Sequence, residues 1–118
     1  MYISSKFLVF FIVISILFSC QPKERFRLIN PNQSNIDFVN EIVDSDSFNI
    51  LTYEYIYNGG GVAIADFNND EKQDIFFTGN MVPNRLFLNK GDLKFENVTD
   101  KSGVAANNKW CTGVAVID

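Results

Sequence analysis

Hydrophobic and polar positions divide the 118-residue chain into stretches of different rhythm. Phe7–Phe18 is an apolar run of 12 residues, interrupted only by Ser15, behind a short polar start that carries Lys6. A membrane-spanning helix takes about 20 residues, so this run is too short to span and fits the apolar middle of an export signal. Residues 21–35 are polar, contain two prolines and show no period, which predicts a solvated tether. Ile36–Ile42 alternates apolar and polar residues, the period of a half-exposed strand, and the aromatic-rich Leu51–Tyr57 is predicted to be extended. From Gly61 the rhythm becomes regular. Gly61–Phe67, Asp74–Thr78, Arg85–Leu88 and Lys94–Thr99 are short strand-like segments separated by residues that favour turns. No segment carries a helical period, so the predicted fold class is all-β, a four-stranded antiparallel meander.

The pattern then begins again. Gly113-Val114-Ala115-Val116-Ile117-Asp118 matches Gly61-Val62-Ala63-Ile64-Ala65-Asp66 at four of six positions, 52 residues further on. A four-stranded unit recurring at about 50 residues predicts the blades of a β-propeller. Residues 36–118 are accordingly expected to be one blade and the start of a second, the N-terminal part of a longer protein.

Composition changes the picture in two ways. The formal charge is −4, and removing residues 1–19 takes away one lysine and no acid, leaving 9 basic against 14 acidic residues, or −5. That balance provides no footprint for nucleic acid, whose phosphates are gripped by lysine and arginine. The chain also has no histidine, which excludes His-based acid–base catalysis, Ser-His-Asp triads and the usual zinc sites. Any chemistry must come from carboxylates, amides and backbone. Of the two cysteines, Cys20 follows the apolar run, and Cys111 sits beside Trp110 with no evident neighbouring base, as a small hydrophobe.

One segment gathers carboxylates. Asp66-Phe67-Asn68-Asn69-Asp70-Glu71-Lys72-Gln73-Asp74 sets Asp, Asn, Asp and Asp at positions 1, 3, 5 and 9 of a loop between two strands. Oxygen side chains at alternate positions of a tight loop converge, and Lys72 at position 7 can add its backbone carbonyl. These are the hard oxygen ligands calcium takes, 6–8 in number with water completing the set; magnesium's small strict octahedron suits such a loop less well. An EF-hand is ruled out, because position 12 is Phe77 and both flanks are strand-like. Position 6, where glycine supplies a left-handed turn, is Glu71. Two readings fit these residues: a calcium site, or an Asx-rich connection that binds nothing.

Other signals have simpler explanations. Gly59-Gly60-Gly61 precedes a strand and lacks the Lys-Ser/Thr of a phosphate loop, so it reads as a tight entry into the blade. Arg85 is expected to pair with a nearby acid, and Tyr53, Tyr55 and Tyr57 to share one strand face as packing residues.

Two resemblances extend this reading. Leu17-Phe18-Ser19-Cys20 resembles the lipobox of bacterial lipoproteins, which implies cleavage after residue 19 and acylation of Cys20. The domains would then be a signal peptide (1–19), a lipidated cysteine and linker (20–35), and the propeller part (36–118). Gln21 leans towards the outer membrane. The string GVAIADFNNDEKQDIFFTGN resembles an FG-GAP/VCBS repeat, a blade of integrin-α-like β-propellers. Together with Tyr57–Gly61, Asn84–Asn89, Phe95–Thr99 and Gly103-Val104, it resembles bacterial relatives of cartilage acidic protein, whose full-length members usually end in an ASPIC/UnbV domain. The resemblance implies calcium held by Asp66, Asn68, Asp70, the Lys72 carbonyl and Asp74. It also implies an envelope-anchored binding module with a protein or polysaccharide ligand and calcium in a structural role. Two other roles stay open: the N-terminal part of a polysaccharide-active envelope enzyme whose catalytic residues lie beyond residue 118, and a small calcium buffer.

Overall fold

A computed structural model describes residues 25–117 of the chain. The expected signal peptide, Cys20 and Asp118 lie outside the described residues. The centre of the fold is a sheet of four strands, β1 (Val62–Ala65), β2 (Asp74–Phe77), β3 (Arg85–Asn89) and β4 (Phe95–Asn97). They run in chain order and every neighbouring pair is antiparallel, which is the expected all-β meander. Each strand falls inside or within one residue of its predicted segment.

The register explains which residues form the core. Ile64, Ile75 and Phe87 lie opposite one another, so they share one face of the sheet, while Ala63, Phe76 and Leu86 share the other. Phe87 is fully buried, and Phe77 meets it edge-on with ring centroids 5.9 Å apart. Burying a side chain of that size stabilises by about 1.5–3 kcal/mol. Phe38 lies flat on Phe77 at 4.8 Å, bringing the segment before the sheet onto this face. Across the other face, Val104, Val114 and Ile117 run over Phe67, Phe76 and Leu86, leaving a groove of about 340 Å³.

Three expectations are corrected. Ile36–Ile42 is not a strand. Its exposure alternates residue by residue as expected, but its backbone finds no ladder partner, and side chains such as Phe38 and Asn40 hold it to the sheet. Leu51–Tyr57 is not extended. Thr52 and Tyr53 donate to the Asn49 carbonyl, Ile56 to Tyr53 and Asn58 to Tyr55, a series of turns that buries Ile56 completely. The three tyrosines therefore share no strand face: Tyr53 packs with Phe48, Tyr55 and Trp110, while the Tyr57 hydroxyl donates to Asp44 Oδ2 at 2.7 Å.

The third correction is helical. Among the described residues two single turns of helix are present, α1 (Pro31–Ser34) and α2 (Thr99–Ser102). Asn30 caps α1 by accepting from the Asn32 N–H, and Pro31 stands first, where its missing N–H costs nothing. Turns of four residues hold barely one helical period and cannot repeat it, so no periodic signal announces them. Gly113–Ile117, the copy of β1 in sequence, is irregular in structure. β1 forms its ladder with β2, and no counterpart of β2 follows Gly113 among the described residues. No helix among those residues is long and apolar enough to cross a membrane.

Candidate metal-binding loop

Ala65 at the end of β1 pairs with Asp74 at the start of β2, so Asp66–Gln73 forms the connection between two antiparallel strands. The loop is organised by its own acceptors. Asp66 Oδ1 accepts from the N–H groups of Asn68 (3.3 Å) and Asp70 (3.1 Å), and Asp66 Oδ2 accepts from Glu71 (2.8 Å). The Asp70 N–H is shared with Asn68 Oδ1 at 3.0 Å, which places the oxygens of Asp66 and Asn68 side by side. Asp70 Oδ1 in turn accepts from the Lys72 N–H at 3.0 Å. Successive Asx turns thus coil the backbone around the first aspartate.

Two residues adopt left-handed backbone to allow this, Asn69 at φ 59° and Glu71 at φ 65°. Asparagine tolerates that region well. Glutamate does so at a penalty of about 1–2 kcal/mol. The turn at position 6 is therefore made without the glycine that would make it readily.

Asp74 is placed differently from the other acids. Its side chain is 0% exposed, with Oδ2 accepting from the Phe67 N–H at 2.9 Å and Oδ1 from the Asn89 N–H at 2.7 Å. Among the described residues no basic nitrogen lies within 4 Å of it. Burying a carboxylate is expensive unless an opposite charge or several donors compensate. Two neutral amides go only part of the way.

Lysines surround the rest of the loop. Lys72 Nζ folds back onto Asp70 Oδ2 at 3.1 Å. Desolvation pushes the Asp70 carboxyl up, but hydrogen bonds from Lys72 and Asn68, with the charge of Lys72, outweigh it and hold the group below its ordinary value. Lys90, at the β3–β4 turn, sits 2.9 Å from Glu96 Oε2, and Lys101 sits 3.2 Å from Glu96 Oε1. The Glu96 hydrogen bond and charge raise Lys90, with smaller attractions from Asp70 and Asp74; Lys90 and Lys101 lower Glu96.

The structure thus unites Asp66, Asn68, Asp70 and the backbone of Lys72 in one coil, with Asp74 behind it at the head of β2. Among the described residues no three acidic or thiol side chains form a closed metal cluster, so Asp66, Asp70 and Asp74 do not meet as a carboxylate triad. Arg85, expected to pair with an acid, has no carboxylate within 4 Å among the described residues.

Sequence reasoning missed a set of asparagines. Asn80, 3% exposed, exchanges hydrogen bonds with Asn40 and donates to the carbonyls of Gly59 and Cys111. Asn84 accepts from the Gly79 N–H and donates to the Val104 carbonyl. Asn89 links the loop to the next turn. The first two lay in a segment read only as a turn; their signal was the excess of asparagine there, since a turn needs one such residue and not two.

No curated protein and no solved structure matches the chain. Residues 66–118, beginning at the first aspartate of the loop, match the family model described as an FG-GAP-like repeat.

Proposed function

We propose that this chain is part of a calcium-stabilised β-propeller that acts as a binding and interaction module, tethered to the bacterial envelope, at the outer membrane, through a lipidated Cys20. The FG-GAP-like match over residues 66–118 supports a propeller-like interaction module, and such repeats typically form non-catalytic binding modules. The four-stranded antiparallel meander supports it further, being the unit from which propellers are assembled.

The observation that carries calcium is Asp74. A fully buried carboxylate with no basic partner within 4 Å among the described residues, standing at position 9 of an aspartate-rich loop, is a charge in need of a cation. The donor chemistry fits. Asp66, Asn68, Asp70, the Lys72 carbonyl and Asp74 offer only oxygen, which suits a hard divalent ion, with water completing its 6–8 ligands. Calcium would neutralise the loop's acids and fix the β1–β2 connection, a structural and not a catalytic role. The weak extracellular range, roughly 10⁻⁴–10⁻³ M, suits a loop with Glu71 at its left-handed position. No observation among the described residues favours the enzyme alternative.

Calorimetric titration of the full chain with calcium chloride tests the metal. One site is expected, lost in Asp66→Ala, and absence of saturable binding at millimolar calcium would overturn the reading. Membrane fractionation tests the anchor: Cys20→Ser should move the protein out of the membrane fraction, and unchanged partitioning would remove the lipid from the account.

A further inference from the structure

We propose that Asn89 is a positioning residue for the cation in the Asp66–Asp74 loop, joining its occupancy to the β3–β4 turn although Asn89 supplies no ligand oxygen. The inference rests on the calcium reading above.

Asn89 ends β3 and makes three contacts that run in series. Its N–H donates to Asp74 Oδ1 at 2.7 Å. Its Nδ2 donates to the Gln73 carbonyl at 3.0 Å, and its Oδ1 accepts from the Gly91 N–H at 2.9 Å. Gln73 lies between Lys72, whose carbonyl is an expected ligand, and Asp74, the buried carboxylate. Holding the Gln73 carbonyl fixes the peptide plane that leads into Asp74, and thereby the direction of its side chain. Partners of this kind orient metal ligands from one shell out, and their loss weakens binding without removing a ligand.

The same side chain reaches the turn. Gly91, Asp92 and Leu93 have φ of 90°, 51° and 57°, three consecutive residues in the left-handed region. Glycine adopts this freely and aspartate tolerates it, whereas Leu93 does so under strain, held by the Lys90 N–H to the Lys94 carbonyl and the Lys94 N–H to the Gly91 carbonyl. A strained turn changes conformation under small forces, and the Asn89 side chain applies one directly at Gly91. Lys90, in the same turn, lies in the field of Asp70 and Asp74, so a divalent charge in the loop acts on the turn by a second route.

Calcium chloride titrations of the full chain test this, by calorimetry and by amide NMR, for wild type, Asn89→Ala and Asn89→Ser. The control is Asn97→Ala, which removes two hydrogen bonds of the same kind, to the Thr99 N–H and hydroxyl, away from the loop. Asn89→Ala should weaken calcium about tenfold, while the control stays within about twofold of wild type. Asn89→Ser keeps an oxygen for Gly91 and drops the bond to Gln73, and should weaken calcium in the same direction if Asn89→Ala does not fold. In wild type the Gly91 amide resonance should move with the loop amides at the same calcium concentration. A folded Asn89 variant that binds calcium as wild type does, or a Gly91 resonance unmoved at saturation, overturns the proposal alone. Wild type that binds no calcium overturns the calcium reading and this proposal with it.

Discussion

Replacing Asp74 by asparagine separates two explanations of a buried carboxylate. The substitution preserves shape, keeps one oxygen to accept from either Phe67 or Asn89, and turns the other into an NH₂ facing an amide donor. Loss of that charge-assisted hydrogen bond costs about 1.5–3 kcal/mol. Removing a charge that is 0% exposed and unpaired within 4 Å among the described residues returns energy of the same order or more. In chelator the two effects offset, and D74N should melt close to wild type or slightly above it.

With calcium the balance changes. At a free concentration about tenfold above its Kd, binding stabilises wild type by ~1.4 kcal/mol, since only the folded state holds the ion. In a domain of this size that raises Tm by about 6–11 °C. D74N should lose most of this increase. Thermal melts of both proteins in chelator and in calcium therefore give four values and one interaction energy. An equal deficit of D74N in both conditions would mean that the carboxylate serves only its two amide donors. The argument from uncompensated charge would then fail.

Glu71→Gly relieves a left-handed backbone at φ 65° while keeping the N–H to Asp66, and should raise Tm and tighten calcium, by about 0.5–1 kcal/mol after the extra freedom of unfolded glycine is subtracted; lower stability in denaturant titration would show that the Glu71 side chain makes a needed contact. Asn80→Ala takes the side-chain donor from the half-buried carbonyls of Gly59 and Cys111 and removes the partner of Asn40, so it should cost about 1–3 kcal/mol and speed proteolysis of residues 36–57. Asp70 and Glu96 have folded pKa values below their ordinary 3.8 and 4.5, so their stabilisation is present above those values and lost as pH falls through the lowered ones. Tyr57 and Lys90 are raised above 10.0 and 10.5, so theirs is present below those values and lost as pH rises through the raised ones. Tyr57 and Lys90 are exposed and Asp70 and Glu96 only half-buried, so melts across pH in chelator should show shallow losses at both extremes that flatten further in high salt; an acid limb unchanged by Glu96→Gln would remove Glu96 from its causes.

The four strands were legible because a half-buried sheet writes its period into every second residue, as Ala63, Phe76 and Leu86 do against Ile64, Ile75 and Phe87. Ile36–Ile42 carries the same period and is no strand, because alternation reports which side chains meet the core and says nothing of whether a backbone partner is in reach. Leu51–Tyr57 was misread for a related reason: β-favouring aromatics met the turn-forming Asn49 upstream, and tertiary contacts to Phe48 and Trp110 reward the turns. That Asp66, Asn68 and Asp70 fall in one bend was visible from spacing alone, since Asx side chains at alternate positions favour turns that coil the backbone. What spacing could not reveal is that Asp74 accepts from two different strand ends, Phe67 after β1 and Asn89 at the end of β3. That second contact exists only once β3 is laid beside β2, and it moves Asp74 from one more acid in a loop to the point where loop and sheet are fastened together. A carboxylate so placed links the charge state of the loop to the packing of three strands, which is why a cation there would stabilise the sheet as well as the bend.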